Sequence, residues 1–317
     1  GNDVYTASPT TASMEGAGSL STVNGFRKVY AYSYAGGFDT ARLYDSAGND
    51  NFVGNEPRSW MTGNDYYNSA SRFDQVDAYS STGYDVAMMW DGAGNDQFQV
   101  DPHMGSLSGT GFDNRAHNFD RVYGYAYGGG LDEAKMFDSS GDDRFVGKDI
   151  RSIIYGENYY ASVTRFERVY SVANNGGNDR ADMYGNNGND VVVAGVNNST
   201  MTGNNYFYSV SSFEVVNAYA GLGGIDTTSV TDSAGNDTFV NAPDSSYMRW
   251  SAGQRISLLN FSSVDAKSVF GGNDTAEFRT LNALDTVFGR GDLVAIQRLT
   301  GQSSKATGFD KVKAKSL

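Results

Sequence analysis

The chain of 317 residues contains no cysteine, only four prolines and two histidines, and no apolar run near the roughly 18 residues that a membrane helix requires. Without cysteine, disulfides and thiolate metal centres are excluded, so stability must come from packing, hydrogen bonds and any oxygen-ligated cations. Positive charge is scarce as well. Lys and Arg total 24 against 37 Asp and Glu, a net charge of −13, and the basic residues form no sustained stripe, which argues against a nucleic-acid partner. The chain opens at Gly1 with no signal-like apolar segment, and it is expected to be a mature or excised product without a membrane span.

What the chain has in plenty is glycine (39), tyrosine (21) and phenylalanine (18), and these follow a period. GND recurs at Asp3, Asp50, Asp96, Asp190 and Asp237, with GDD at Asp143 and a degenerate LDT at Asp285. The first five steps are 47, 46, 47, 47 and 47 residues. Phe26, Phe73, Phe119, Phe166, Phe213, Phe261 and Phe309 keep the same register, as do the GGxD-like Asp39, Asp85, Asp132, Asp179, Asp226 and Asp274. Repeats therefore start near residues 1, 48, 94, 141, 188, 235 and 283, the last incomplete, in one continuous array.

Every apolar piece of the unit alternates, as in Val76/Ala78, Ala87/Met89 and Phe98/Val100, and each is bounded by Gly, Asn, Asp or Ser, the pattern of a strand. Pro9, Pro57, Pro102 and Pro243 fall just after the GND strand, at a turn that needs no N–H there. The expected fold is all-β, a parallel β-helix or β-solenoid of 47-residue repeats. Four strand slots of about 12 residues favour two rungs per repeat, because one rung of 47 residues encloses more cross-section than its short apolar patches fill. Stacking would line up the phenylalanines inside and the GND asparagines in an amide ladder.

The segment Gly48-Asn49-Asp50-Asn51-Phe52-Val53-Gly54 resembles the core of the hemolysin-type calcium-binding (RTX) repeat, GGxGxDxUx. That resemblance implies a parallel β-roll with calcium held at its turns. The long period is similar to that of repeats in very large bacterial surface proteins. The residues themselves add a reason to consider calcium. Asp45, Asp91, Asp138 and Asp232 each precede a GND-type aspartate, Asp50, Asp96, Asp143 and Asp237, by five residues. Each turn thus presents two carboxylates to a hard cation such as Ca2+, or else a pair of turn caps. Gly185 breaks this series, five residues before Asp190.

The third repeat is the irregular one. It holds both histidines, His103 and His117, and has Phe112-Asp113 where others have a tyrosine pair, with Arg115 nearby. Those side chains could abstract a proton from a uronate, which keeps a carbohydrate-active β-helix enzyme, a lyase or epimerase, as one alternative. A calcium-dependent binding module is the other. The leading expectation is a noncatalytic extracellular structural or adhesive protein, displayed at a bacterial cell surface. Its expected partners are further copies of itself or a longer parent chain; tyrosine rows such as Tyr79, Tyr125 and Tyr219 are expected to pack the core or cover turns, and exposed rows could instead stack on surface polysaccharide. Lys311, Lys313 and Lys315 alternate along the final strand, a device that blocks edge pairing or meets an acidic partner.

Overall fold

A computed structural model describes residues 1–34, 36–281 and 284–316. Ala283, near the start of the seventh repeat, lies outside them. The fold is an all-β solenoid. Among the described residues no helix is long and apolar enough to cross a membrane. Two compact units are formed, Gly1–Ser139 with Ile150–Val169, and Ser140–Asp149 with Tyr170–Leu317.

Each complete repeat carries five strands. In the first these are β1 (Val4–Ala7), β2 (Thr11–Gly16), β3 (Ser19–Asn24), β4 (Lys28–Tyr32) and β5 (Thr40–Tyr44). In the second they are β6 (Asn51–Gly54), β7 (Arg58–Gly63), β8 (Tyr66–Ser71), β9 (Gln75–Tyr79) and β10 (Val86–Trp90). The third comprises β11 (Gln97–Val100), β12 (Met104–Gly109), β13 (Phe112–His117), β14 (Arg121–Tyr125) and β15 (Glu133–Phe137).

In each of these three repeats the first three strands form an antiparallel meander within one sheet, β6–β7–β8 for example. The proline turn makes the first hairpin. The second has a two-residue loop, Asn64-Asp65, between paired Gly63 and Tyr66, with Asp65 at φ 71°. The fourth strand then lies in the other sheet and the fifth returns to the first. In the first unit one sheet runs β3–β2–β1–β5–β9–β13–β12–β11–β15 and the other includes β4–β8–β7–β6–β10–β14, with meanders of successive repeats in alternate sheets. The second unit repeats the scheme, as in the meander Val191–Ala194, Asn198–Gly203 and Tyr206–Ser211 and its parallel neighbour Thr227–Thr231.

This corrects the expectation of two rungs per repeat. Parallel neighbours are about 35 to 40 residues apart, as in Thr40↔Gln75 and Val215↔Arg255, matching neither a half-repeat nor a whole one. The reason is that the xSxMxG segment folds back against its own neighbours instead of occupying a parallel slot, and the chain then visits the sheets three times per repeat. The residue before each register phenylalanine redirects it. Gly25, Arg72, Asn118, Arg165, Ser212, Asn260 and Gly308 all have positive φ, between 60° and 81°.

Side chains on the inner faces fill the space between sheets. Phe52, Met61, Ala87, Met89, Phe98 and Leu107 are wholly enclosed. Six of the seven register phenylalanines, all but Phe26, are buried as expected, but they do not stack on one another. Five of them meet the aromatic residue of a GND strand from the preceding repeat: Tyr5–Phe73, Phe52–Phe119, Phe98–Phe166, Phe145–Phe213 and Phe239–Phe309, with centroids 5.8 to 6.5 Å apart. Phe26 has no such partner and is 61% exposed, against 5% for Phe73.

These two positions make the packing testable. Phe73→Ala should cost about 3–5 kcal/mol, as buried aromatics do, and Phe26→Ala no more than about 0.5 kcal/mol. Urea denaturation of both variants reads the difference, and equal midpoints would contradict the assignment.

Candidate metal centres at the aspartate corners

The aspartates that open successive strands are joined by their carboxylates. Each GND-type N–H donates to the GGxD carboxylate: Asp3 to Asp39 at 2.6 Å, Asp50 to Asp85 at 2.7 Å, Asp96 to Asp132 at 2.8 Å, Asp143 to Asp179 at 2.8 Å, Asp190 to Asp226 at 2.8 Å and Asp237 to Asp274 at 2.7 Å. The GGxD N–H donates in turn to the acid that follows the register phenylalanine, as Asp85 to Asp120 and Asp132 to Glu167. The asparagines act alike, not as an amide ladder: Asn49 Oδ1 accepts the Tyr84 N–H and Asn189 Oδ1 that of Ile225. A side-chain acceptor in that position satisfies a strand-end donor, which competes with stacking amide on amide.

This relay gathers acids. Carboxylate oxygens of Asp45, Asp50 and Asp85 lie within 4.8 Å of one another, as do those of Asp91, Asp96 and Asp132, and of Asp232, Asp237 and Asp274. Each set could hold a metal ion. The sequence pairs Asp45/Asp50, Asp91/Asp96 and Asp232/Asp237 are thus together, with a third acid from the GGxD turn that spacing did not reveal. Buried Asp138 belongs to the first unit and Asp143, in the fourth repeat, to the second, where its N–H donates to Asp179. With Gly185 in place of an acid, the fifth repeat retains Asp190 and Asp226.

Much of this carboxylate surface serves as backbone cap. Asp45 accepts the N–H and hydroxyl of Ser81 at 2.6 and 2.8 Å, Asp91 the N–H groups of Tyr127 and Gly128, and Asp232 that of Val269. Serine hydroxyls cover more: Ser46 donates to Asp50, Ser80 to Asp85, Ser233 to Asp237 and Ser268 to Asp274, each at 2.7 or 2.8 Å. Tyrosine covers Asp190, whose Oδ1 accepts the Tyr206 hydroxyl at 2.6 Å. The equivalent Tyr66 hydroxyl faces Asp50 outside hydrogen-bond geometry. Burial first, and Asp50 second, push its pKa far above the usual tyrosine range. Glycine makes room for the carboxylate, since a Cβ at Gly63 or Gly109 would lie 1.7 or 1.6 Å from Asp50 or Asp96 Oδ1.

The third-repeat corner departs from this. Asp96 is 1% exposed, and neither of its carboxylate oxygens has a hydrogen-bond partner. Burial, then the charges of Asp132 and Asp91, raise its pKa to about 6. The Gly92 amide offsets part of this without reaching hydrogen-bond geometry, and Glu56 adds a further negative charge. Burial likewise raises Asp132.

The non-repeating polar residues lie elsewhere, on outward positions of β13. Arg115 pairs with Asp113 at 2.5 Å, and His117 Nε2 lies 3.0 Å from Asp77. The His117 ring stacks on Tyr79, which stacks on Tyr44, at 4.5 and 5.0 Å. His103 is exposed. The tyrosine rows divide by face: Tyr66, Tyr159 and Tyr206 are buried, whereas Tyr184–Tyr219 and Trp90–Tyr125 stack on outer faces at 4.5 and 4.9 Å.

The raised Asp96 pKa carries a sign. In metal-free protein the folded state holds this proton more tightly than the unfolded state does, so the contribution is favourable below about pH 4. It is lost as pH rises through about 6. In chelator, Asp96→Asn should therefore gain stability relative to the parent between pH 5 and 7.5, read from thermal melts; a pH-independent difference would contradict the assignment. No known protein-family model matches the chain, and a search of curated proteins finds no relative.

Proposed function

We propose that this chain is a noncatalytic structural or adhesive repeat protein of a bacterial cell exterior, with calcium as the ion suited to its aspartate corners. The observation that carries the reading is the recurrence of one carboxylate-to-amide relay from repeat to repeat. Polar groups of that kind are spent on holding strands in register. The side chains that could suggest catalysis are engaged as well: Arg115 with Asp113, and His117 with Asp77 and Tyr79, on an outward sheet face. Calcium is favoured over softer metals because each corner offers oxygen ligands alone.

Adhesion through the tyrosine rows would use ring edges and row ends, since the faces of Tyr79 are covered by Tyr44 and His117. Extension by further copies or a longer parent chain fits the repeat. Two assays test the reading together. Antibody against the chain should label intact cells of its source without permeabilisation, and incubation with uronate polymers should yield no unsaturated product at 235 nm. Labelling only after lysis would overturn the exterior location. Product that disappears in His117→Ala would replace the scaffold with a lyase.

A further inference from the structure

The third-repeat corner differs from the others by what has been removed. Three positions that supply hydroxyl caps elsewhere have lost them together. Ser46 and Ser233 correspond to Gly92, Ser80 and Ser268 to Ala126, and Tyr206 to Phe112. Phe112 keeps the place of the tyrosine. Its ring edge and Asp96 Oδ1 both lie against Gly109, as the Tyr206 ring and Asp190 Oδ1 both lie against Gly203. Only the hydroxyl is missing. The consequence is the orphaned Asp96 carboxylate, enclosed among Asp91 and Asp132 with Glu56 beside it.

Burying clustered carboxylates without donors is unfavourable unless a cation joins them. The capped corners solve this with protein hydroxyls, and the third-repeat corner leaves both Asp96 oxygens without a donor. We infer that the Asp91–Asp96–Asp132 corner, with Glu56, is a dedicated site for one calcium ion, and that hydroxyl caps keep the second- and sixth-repeat corners ion-free. This rests on the reading of the corners as calcium-suited and narrows it to one place. The second and fifth repeats each leave one buried oxygen unpartnered, on Asp50 and Asp190, but a hydroxyl covers the other oxygen of each, from Ser46 and Tyr206, whereas at Asp96 both oxygens lack a donor. Beside the third-repeat corner an open groove of about 430 Å3 is lined by Trp60, Trp90, Tyr127, Asn55 and Asp91, so bound terbium would sit near indole donors.

The test uses the whole chain after chelation, with Ca2+ followed by calorimetry and Tb3+ by luminescence excited through tryptophan. One Ca2+ per chain is expected, with sensitised Tb3+ emission that Ca2+ competes away. Phe112→Tyr restores the cap seen at Tyr206 and should weaken Ca2+ ~10-fold or more, as should Asp96→Asn, whereas Asp237→Asn in a capped corner should change nothing. Because Phe112→Tyr adds one oxygen at a position where other repeats already carry tyrosine, circular dichroism should show an intact fold. Ca2+ binding at several sites, or binding that Asp237→Asn reduces and Phe112→Tyr spares, would overturn the assignment to the third repeat while leaving calcium at the corners. Failure of both ions to bind would overturn both.

Discussion

The structure depends on a carboxylate accepting the N–H of the residue that begins the neighbouring strand. Strand starts are where a ladder runs out of partners, and an enclosed N–H left there costs about 1–3 kcal/mol. Aspartate is short enough to reach the adjacent strand and charged enough to make a strong bond. One such bond at Asp50 aligns β6 with β10, and the next at Asp85 aligns β10 with β14. Repetition of that link sets the period of acids in the sequence and brings them into clusters. The clusters are thus a by-product of register before they are anything else.

Clustering has its own cost, and the repeats meet it in different ways. Hydroxyls from Ser46, Ser80, Ser233, Ser268 and Tyr206 donate to the gathered carboxylates. Where serine and tyrosine give way to Gly92, Ala126 and Phe112, the charge is left uncompensated and the Asp96 pKa rises to about 6. On outer faces the acids pair with cations instead. Asp182 lies between Arg144 and Arg180, and Glu277 is held at about pKa 2, by Arg279 and then Lys315. The alternating lysines of the last strand therefore have at least one partner within their own sheet, through Lys315.

Much of this was legible in the residues. Period, strand character, the inward turn of Phe73 and the pairing of Asp91 with Asp96 followed from spacing and alternation alone. The meander did not, because a strand's pattern is the same whether its neighbour runs parallel or antiparallel. The signal that could have found it is the Gly63-Asn64-Asp65-Tyr66 turn, a hairpin dipeptide repeated as Gly203-Asn204-Asn205-Tyr206. The aromatic pairing escaped for a related reason: Phe73 and Phe119 look equivalent, yet each sits against a residue of another strand type. The third repeat is visibly irregular in sequence through residues that are present, His103, His117 and Arg115, while the informative change is the absence of three hydroxyls.

Native-state hydrogen exchange of the unmodified chain tests the central claim most directly. If carboxylates cap the strand starts, the amides of Asp50, Asp85, Asp96 and Asp132 should exchange as slowly as those inside β10, although they lie at the ends of strands next to glycine turns. Exchange at the rate of an open turn would show that the ladder alone holds the strands, and the account of the corners would fall with it.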